Sequence, residues 1–189
     1  MSVFLLDIKK EINSIENRKS PYFIKYSTSE KFKNDKVNFE NDSYRILLDG
    51  VVLNKNAIMK GFNMFDWTNC LLNLYENKGK KFFEELKGSY YGFIYDKRLE
   101  KFVIFSDHIG SKPLYFSECE KNIVFSNSYK EIVQYLKSIN QQVTLSNQGA
   151  YLILSYGYVF EEFTLTNEIK RLLVGHYAEI ERRQVLYSK

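Results

Sequence analysis

GSYYGFIYDKRLEKFVIFSDHIGSKPLYF, residues 88–116, places aromatic side chains at every second position in Tyr91, Phe93 and Tyr95, and resumes with Phe102, Ile104 and Phe105 beyond the charged run 96–101. A period of two, interrupted by one polar run, argues for two adjacent antiparallel strands joined by a loop. The polar turn 106–113 follows, in which Gly110 permits positive φ and Pro113 sets the start of a third strand over 114–117. These features alone define an antiparallel sheet with an ordered polar loop.

Upstream of this block the period changes to 3.6. Trp67, Cys70, Leu71, Leu74 and Tyr75 fall on one helical face, with Asp66 as N-cap and Gly79 beyond the end. A short second helix over 80–86 would bury Phe82, Phe83 and Leu86. Further upstream, Tyr44–Leu48 and Val51–Leu53 flank Asp49-Gly50, a pattern that predicts a two-residue hairpin. Val3–Ile8 reads as a buried strand, 9–19 as one amphipathic turn or a loop, and Tyr22–Tyr26 as the strand-like cluster of a polar region. Downstream, 114–117 and 122–125 form a second hairpin. Ser128 and Glu131 predict a capping box for a helix carrying Ile132, Val133, Leu136 and Ile139. Ser146 opens another helix to about Ser155, and 172–180 with 184–187 predict two closing strands. Strands, helices, strands, helices and strands in that order suit an α+β layered domain.

With 189 residues the chain is long enough for one well-filled core, and a single domain over 1–189 is expected. Fifteen Tyr, fifteen Phe and only two Pro describe a packed globule richer in sheet than in helical bundle. A net charge of +4, spread along the chain, does not imply nucleic acid. No apolar run approaches the roughly 20 residues of a membrane helix, and Asp7 interrupts the start too early for a signal peptide, so no membrane and a cytoplasmic location are expected. Cys70 and Cys119 lack metal-type spacing and read as free thiols. His108 and His176 have no carboxylate or cysteine at ligand spacing, and no metal site is expected.

Gly88, Phe93, Asp96, Asp107, Gly110, Lys112, Pro113, Leu114 and Tyr115 match the G-x-(aromatic)-A-F-(hydrophobic)-x-D strand and R-D-x-x-G-x-K-P-L-Y turn of the glutamine amidotransferase domain that begins asparagine synthetases. Thr68–Gly79 is similar to that family's T-E-V-L-L-x-L-Y-E-x-x-G helix, and Phe125–Lys130 to its F-A-S-E-x-K. Thr164-Leu165, Ile169–Leu172 and Gly175-His176 resemble its T-L-x-x-G-I-x-x-L-x-P-G-H segment, so the resemblance runs over roughly 44–187. It implies the N-terminal nucleophile (Ntn) hydrolase fold: a four-layer αββα arrangement in which two stacked antiparallel sheets are covered by helices.

The same resemblance locates the chemistry. Active members begin Met-Cys-Gly-Ile; the cysteine attacks the glutamine amide and its own α-amine is the base, helped by a reference pKa of about 7.7–8.0. Here Ser2 stands at the nucleophile position. The family's N-G-E segment supplies oxyanion donors, which here read Asp49-Gly50-Val51, and an ionised aspartate only accepts hydrogen bonds. The aspartate of S-D-T-E that holds the substrate α-amine is replaced by Trp67, with Asp66 one residue off. Ser106 replaces the arginine of R-D, and no arginine before Tyr44 matches the one that grips the substrate carboxylate. Ser2, Asp49, Gly50 and Trp67 are therefore the site residues, in a degenerate pocket.

What the resemblance implies is a catalytically silent amidotransferase-like domain that supports or docks an ATP-dependent, amide-forming synthetase. That partner would be a C-terminal domain or a separate subunit, and a homodimer is a further expectation. ATP and Mg would belong to the synthetase, with no cofactor in this domain. Two alternatives stand beside it: an active amidohydrolase using Ser2 after removal of Met1, and a stand-alone module that binds another ligand in the vacated pocket.

Overall fold

The computed structural model describes residues 2–10, 20–181 and 184–188. In chain order the strands are β1 (Val3–Lys9), β2 (Tyr22–Ser27), β3 (Val37–Glu40), β4 (Tyr44–Val52), β5 (Gly88–Asp96), β6 (Lys101–Ser106), β7 (Tyr115–Glu118), β8 (Asn122–Ser126), β9 (Lys170–Arg171), β10 (Tyr177–Glu181) and β11 (Gln184–Ser188). The helices are α1 (Lys55–Gly61), α2 (Trp67–Lys78), α3 (Tyr129–Ser138) and α4 (Asn147–Tyr156), with 3-10 turns at Lys33–Asp35 and Gly79–Glu85. None of them is long and apolar enough to cross a membrane.

Two compact units divide the chain, one of Met1–Thr28 with Pro113–Leu173 and one of Ser29–Lys112 with Val174–Lys189. The first is built on an antiparallel sheet of order β2-β1-β8-β7-β9. Its core gathers Leu5, Val124, Ile132, Leu136 and Ile169, so α3 buries its apolar stripe on that sheet. The second holds the sheet β11-β10-β6-β5-β4-β3. On one face of it α2 and the following 3-10 turn bury Leu71, Leu74, Phe82 and Phe83 against Ile46, Leu48, Tyr90 and Phe105. Fully burying each such side chain contributes about 1.5–3 kcal/mol.

The organising hairpin forms as its period of two requires. Tyr91 pairs with Ser106, Phe93 with Ile104, and Tyr95 with Phe102, while 97–100 make the turn. The α2 helix also begins and ends where its caps predict: the Asp66 carboxylate accepts from the Asn69 N–H at 2.8 Å, and Gly79 takes φ 60°.

Three expectations are corrected and one helix is added. Asp49-Gly50 is no turn: β4 runs unbroken through it, with Asp49 opposite Tyr91 and Gly50 opposite Tyr90. A glycine is needed there because the backbone takes φ 146° and a Cβ would lie 2.2 Å from the Ser89 carbonyl oxygen. The capping box does not close. Ser128 makes no side-chain cap bond, its N–H donates to Ser126 Oγ, and Glu131 instead pairs with Lys25 at 3.0 Å. The penultimate strand starts at Tyr177 instead of Leu172, whose N–H donates to the Leu114 carbonyl, since a turn through Gly175 at φ 71° intervenes. Between Asn54 and Phe62 a short helix, α1, has no counterpart in the sequence reading: its seven residues give too short a periodic pattern, although Ile58 and Met59 pack, partly buried, on the core. Most of the 9–19 turn and the loop residues 182–183 lie outside the described residues.

Candidate functional site

Ser2 belongs to the first unit and Asp49, Gly50 and Trp67 to the second. Ser2 is buried immediately before β1. Its carbonyl accepts from Asn127 Nδ2 at 2.9 Å, and the same amide's Oδ1 accepts from the Phe4 N–H at 3.0 Å. Asn127 thus holds the backbone on both sides of Val3. The Ser2 hydroxyl lies 3.5 Å from Thr28 Oγ1. The α-amine that would activate it requires removal of Met1, which lies outside the described residues.

Asp49 is 2% exposed in the middle of β4. Two ammonium groups meet it: Lys36 Nζ stands 3.5 Å from Oδ2 and Lys112 Nζ 3.5 Å from Oδ1. A buried carboxylate needs such partners, because an uncompensated charge in a low-dielectric interior is strongly unfavourable. Lys36 is itself nearly buried and donates a further bond to the Ser29 carbonyl at 2.8 Å.

The position of Lys112 follows from the loop before it. Asp107, 1% exposed, accepts from the N–H groups of Ile109 and Ser111 at 3.2 and 3.1 Å and from the Ser111 hydroxyl at 2.7 Å. Gly110 takes φ 60° and closes the turn with a bond to the Asp107 carbonyl at 3.0 Å. The Asp-x-x-Gly-x-Lys spacing therefore shapes a rigid turn, and its last residue is delivered to Asp49. The Lys112 ammonium also lies 5.1 Å from the Tyr91 ring centroid, a cation–π contact that fixes it further.

Trp67 occupies the first turn of α2, 6% exposed within the apolar core, and the Lys55 ammonium lies 5.7 Å from its ring centroid. Its indole N–H has no hydrogen-bond partner among the described residues. Asp66 is engaged as the helix cap, so its carboxylate is already bonded to backbone. His176 Nδ1 donates to the Val174 carbonyl at 3.0 Å, and His108 is exposed. Among the described residues no cluster of three or more His, Cys, Asp or Glu is placed to hold a metal ion. Cys70 and Cys119 are buried free thiols, and burial raises both above the usual thiol range.

Sequence reasoning assigned no role to Lys36 or to Asn127 and treated Lys112 as a loop residue. The signal for the lysines was Asp49 itself: a carboxylate inside an apolar run requires cations from elsewhere in the chain. Nothing local marked Asn127.

An α+β architecture with two antiparallel sheets is the Ntn-hydrolase-like arrangement, and solved structures share it. One described as the allosteric regulatory enzyme of purine biosynthesis aligns at 11% identity and a TM-score of 0.58, over 100% of this chain and 42% of that one. Glutamine phosphoribosylpyrophosphate (PRPP) amidotransferase from B. subtilis, complexed with ADP and GMP, aligns at 12% identity and a TM-score of 0.53, over 100% and 42% of the two chains. The chain thus spans less than half the length of these two solved relatives. No curated protein matches it by sequence. The model of the glutamine amidotransferase domain family matches residues 38–189, and the chain belongs to that family.

Proposed function

We propose that this chain is a glutamine amidotransferase domain whose glutaminase chemistry is silent, forming one domain of an asparagine synthetase-related protein. Its role is to support an ATP-dependent, amide-forming synthetase domain or subunit. The reading is carried by Asp49. Where the resemblance expects an asparagine amide facing the oxyanion, the chain has a carboxylate, and that carboxylate is buried between Lys36 and Lys112. An oxyanion donor contributes about 3–4 kcal/mol to amide cleavage, whereas a second negative charge there opposes it. The two ammonium groups are directed at Asp49, so they neutralise it and do not replace the missing donor.

Two further observations support the reading. Trp67 packs into the core where the family places the aspartate for the substrate α-amine, and the neighbouring Asp66 is held by the helix backbone. Ser2 stands where the family has cysteine, and a serine hydroxyl is far less acidic than a thiol. The similarity to asparagine synthetases rests on the motif block of residues 88–115 together with the helix and C-terminal segments that match it.

Ammonia release from glutamine is the test, measured for the natural chain and for Ser2→Cys, with the first residue of each sample established by mass. The expected result is no release above buffer from either. Ammonia from a chain that begins at Ser2 would overturn the reading.

A further inference from the structure

The unit built on the five-stranded sheet contains a cavity of about 360 Å³, walled by Tyr115, Tyr129, Ile153, Tyr158 and Phe163, and Arg171 also lines it. None of the residues assigned to glutaminase chemistry contributes to it. That volume falls in the range of small-molecule sites, which are mostly apolar with a few polar groups that set orientation.

Its geometry follows from the sheet. Tyr115 on β7 and Arg171 on β9 are directly opposite in register, so their side chains leave the same face. Tyr115 meets Tyr129 edge to face, with ring centroids 5.8 Å apart, and the Tyr129 hydroxyl donates to Thr166 Oγ1 at 3.1 Å. These two rings are thereby fixed as the inner wall. Tyr158 and Phe163 stand at the mouth, 58% and 37% exposed. The Thr164 hydroxyl, on the same wall, is already committed to the carbonyls of Ile169 and Thr166 at 2.6 and 3.0 Å.

Arg171 is the exception. It is half-buried, and its guanidinium has no hydrogen bond, ion pair or ring partner among the described residues. The adjacent Lys170, by contrast, is paired with Glu162 at 3.1 Å. The cavity therefore presents one unmatched positive charge with a planar fork of donors, beside aromatic walls. A guanidinium matches a carboxylate in a two-bond geometry, and aromatic rings favour a flat apolar body. A single cation balances a monoanion and leaves a phosphate dianion undercompensated.

We propose that this cavity binds a planar aromatic carboxylate, its ring between the aromatic walls and its carboxylate on Arg171. The probes are 2-naphthoate, its neutral counterpart 2-naphthylmethanol, and inorganic phosphate. Each is titrated calorimetrically into the 189-residue chain and into Arg171→Met and Lys170→Met. 2-Naphthoate is expected to bind at one site, about tenfold or more tightly than the alcohol, with phosphate not competing. Arg171→Met is expected to lose that tenfold preference while binding the alcohol as before, which also shows that the variant is folded. Lys170→Met is expected to leave all three unchanged. The proposal fails if 2-naphthoate does not saturate or binds no better than the alcohol, if phosphate competes, or if Lys170→Met weakens binding as much as Arg171→Met.

Discussion

In the unit of the six-stranded sheet, Phe82, Phe83, Phe105 and Tyr177 close on one another, with Phe83 stacked on Phe105 at 5.4 Å and Phe82 edge-on to it at 5.0 Å. In the unit of the five-stranded sheet, Tyr115, Tyr129, Tyr158 and Phe163 stand around a space of about 360 Å³. Charges divide the same way. Asp49 lies between two lysines, and Glu179 between Lys80 at 3.0 Å and Lys101 at 2.5 Å. In the other unit the Arg171 guanidinium has no partner among the described residues. Filled space and matched charge make stability. Open space beside an unmatched cation leaves interaction energy available to a ligand.

The sharpest way to break this contrast is to truncate one ring in each unit. Phe105→Ala is expected to cost about 3–5 kcal/mol, because the cavity it leaves is enclosed by rings that cannot follow. Tyr158→Ala at the exposed cavity mouth should change stability by less than about 0.5 kcal/mol. Urea denaturation midpoints of the two variants would measure the difference, and equal losses would erase the distinction.

Next in size are the lysines on Asp49. Removing a partner from a buried charge costs about 1–3 kcal/mol. Lys36→Met should fall in that range, since its side chain is 9% exposed, and Lys112→Met should cost less, since its side chain is 32% exposed. Equal effects in urea would show that burial does not set the strength of these pairs.

The carboxylates Glu179 and Asp7 should respond to pH with opposite sign. Burial pushes Glu179 up, but bonds and charge from Lys101 and Lys80 outweigh it and leave the group below its usual range. Its stabilisation is present above the unfolded pKa and is lost as pH falls through the folded one. Burial raises Asp7, and bonds from Tyr135 and Asn122 with the charge of Lys9 only partly offset it. The stability linked to Asp7 is complete below its unfolded pKa and is lost as pH rises through the folded one. Asp7→Asn should therefore raise the thermal midpoint at neutral pH and lose that advantage in acid. Glu179→Gln should lower the midpoint at neutral pH and converge on the parent in acid. The same trend in both would contradict the assignment.

The smallest expected effect separates the two helix starts of the five-stranded unit. Ser146 accepts from the Gly149 N–H at 3.1 Å, so Ser146→Ala should cost about 1 kcal/mol. Ser128 makes no cap bond, and Ser128→Ala should be close to neutral.

That last pair shows where sequence reading stops. Helix α2 and the central hairpin were legible because their signals lie within one helical turn or one pleat. A Ser-x-x-Glu spacing looks the same whether or not the glutamate is drawn away to Lys25, which sits on another strand. Asp49-Gly50 misled for a related reason. A strand buried on both faces reads as apolar runs without alternation, and the dipeptide between them carries a strong local turn preference. Only the pairing of β4 between β3 and β5, together with lysines 36 and 112, makes a carboxylate acceptable there. Arg171 was invisible for want of length, since β9 has two residues.

On the proposed function, glutaminase chemistry is blocked by the substitutions at positions 49 and 67 and not only by the serine at position 2. Ammonia release by Ser2→Cys, on a sample whose first residue is shown by mass to be the introduced cysteine, tests it most directly. No release above buffer is expected, because a competent nucleophile does not supply the oxyanion donor that a carboxylate at position 49 lacks. Steady release of ammonia from glutamine by that variant would contradict the account and leave serine at position 2 as the sole cause of silence.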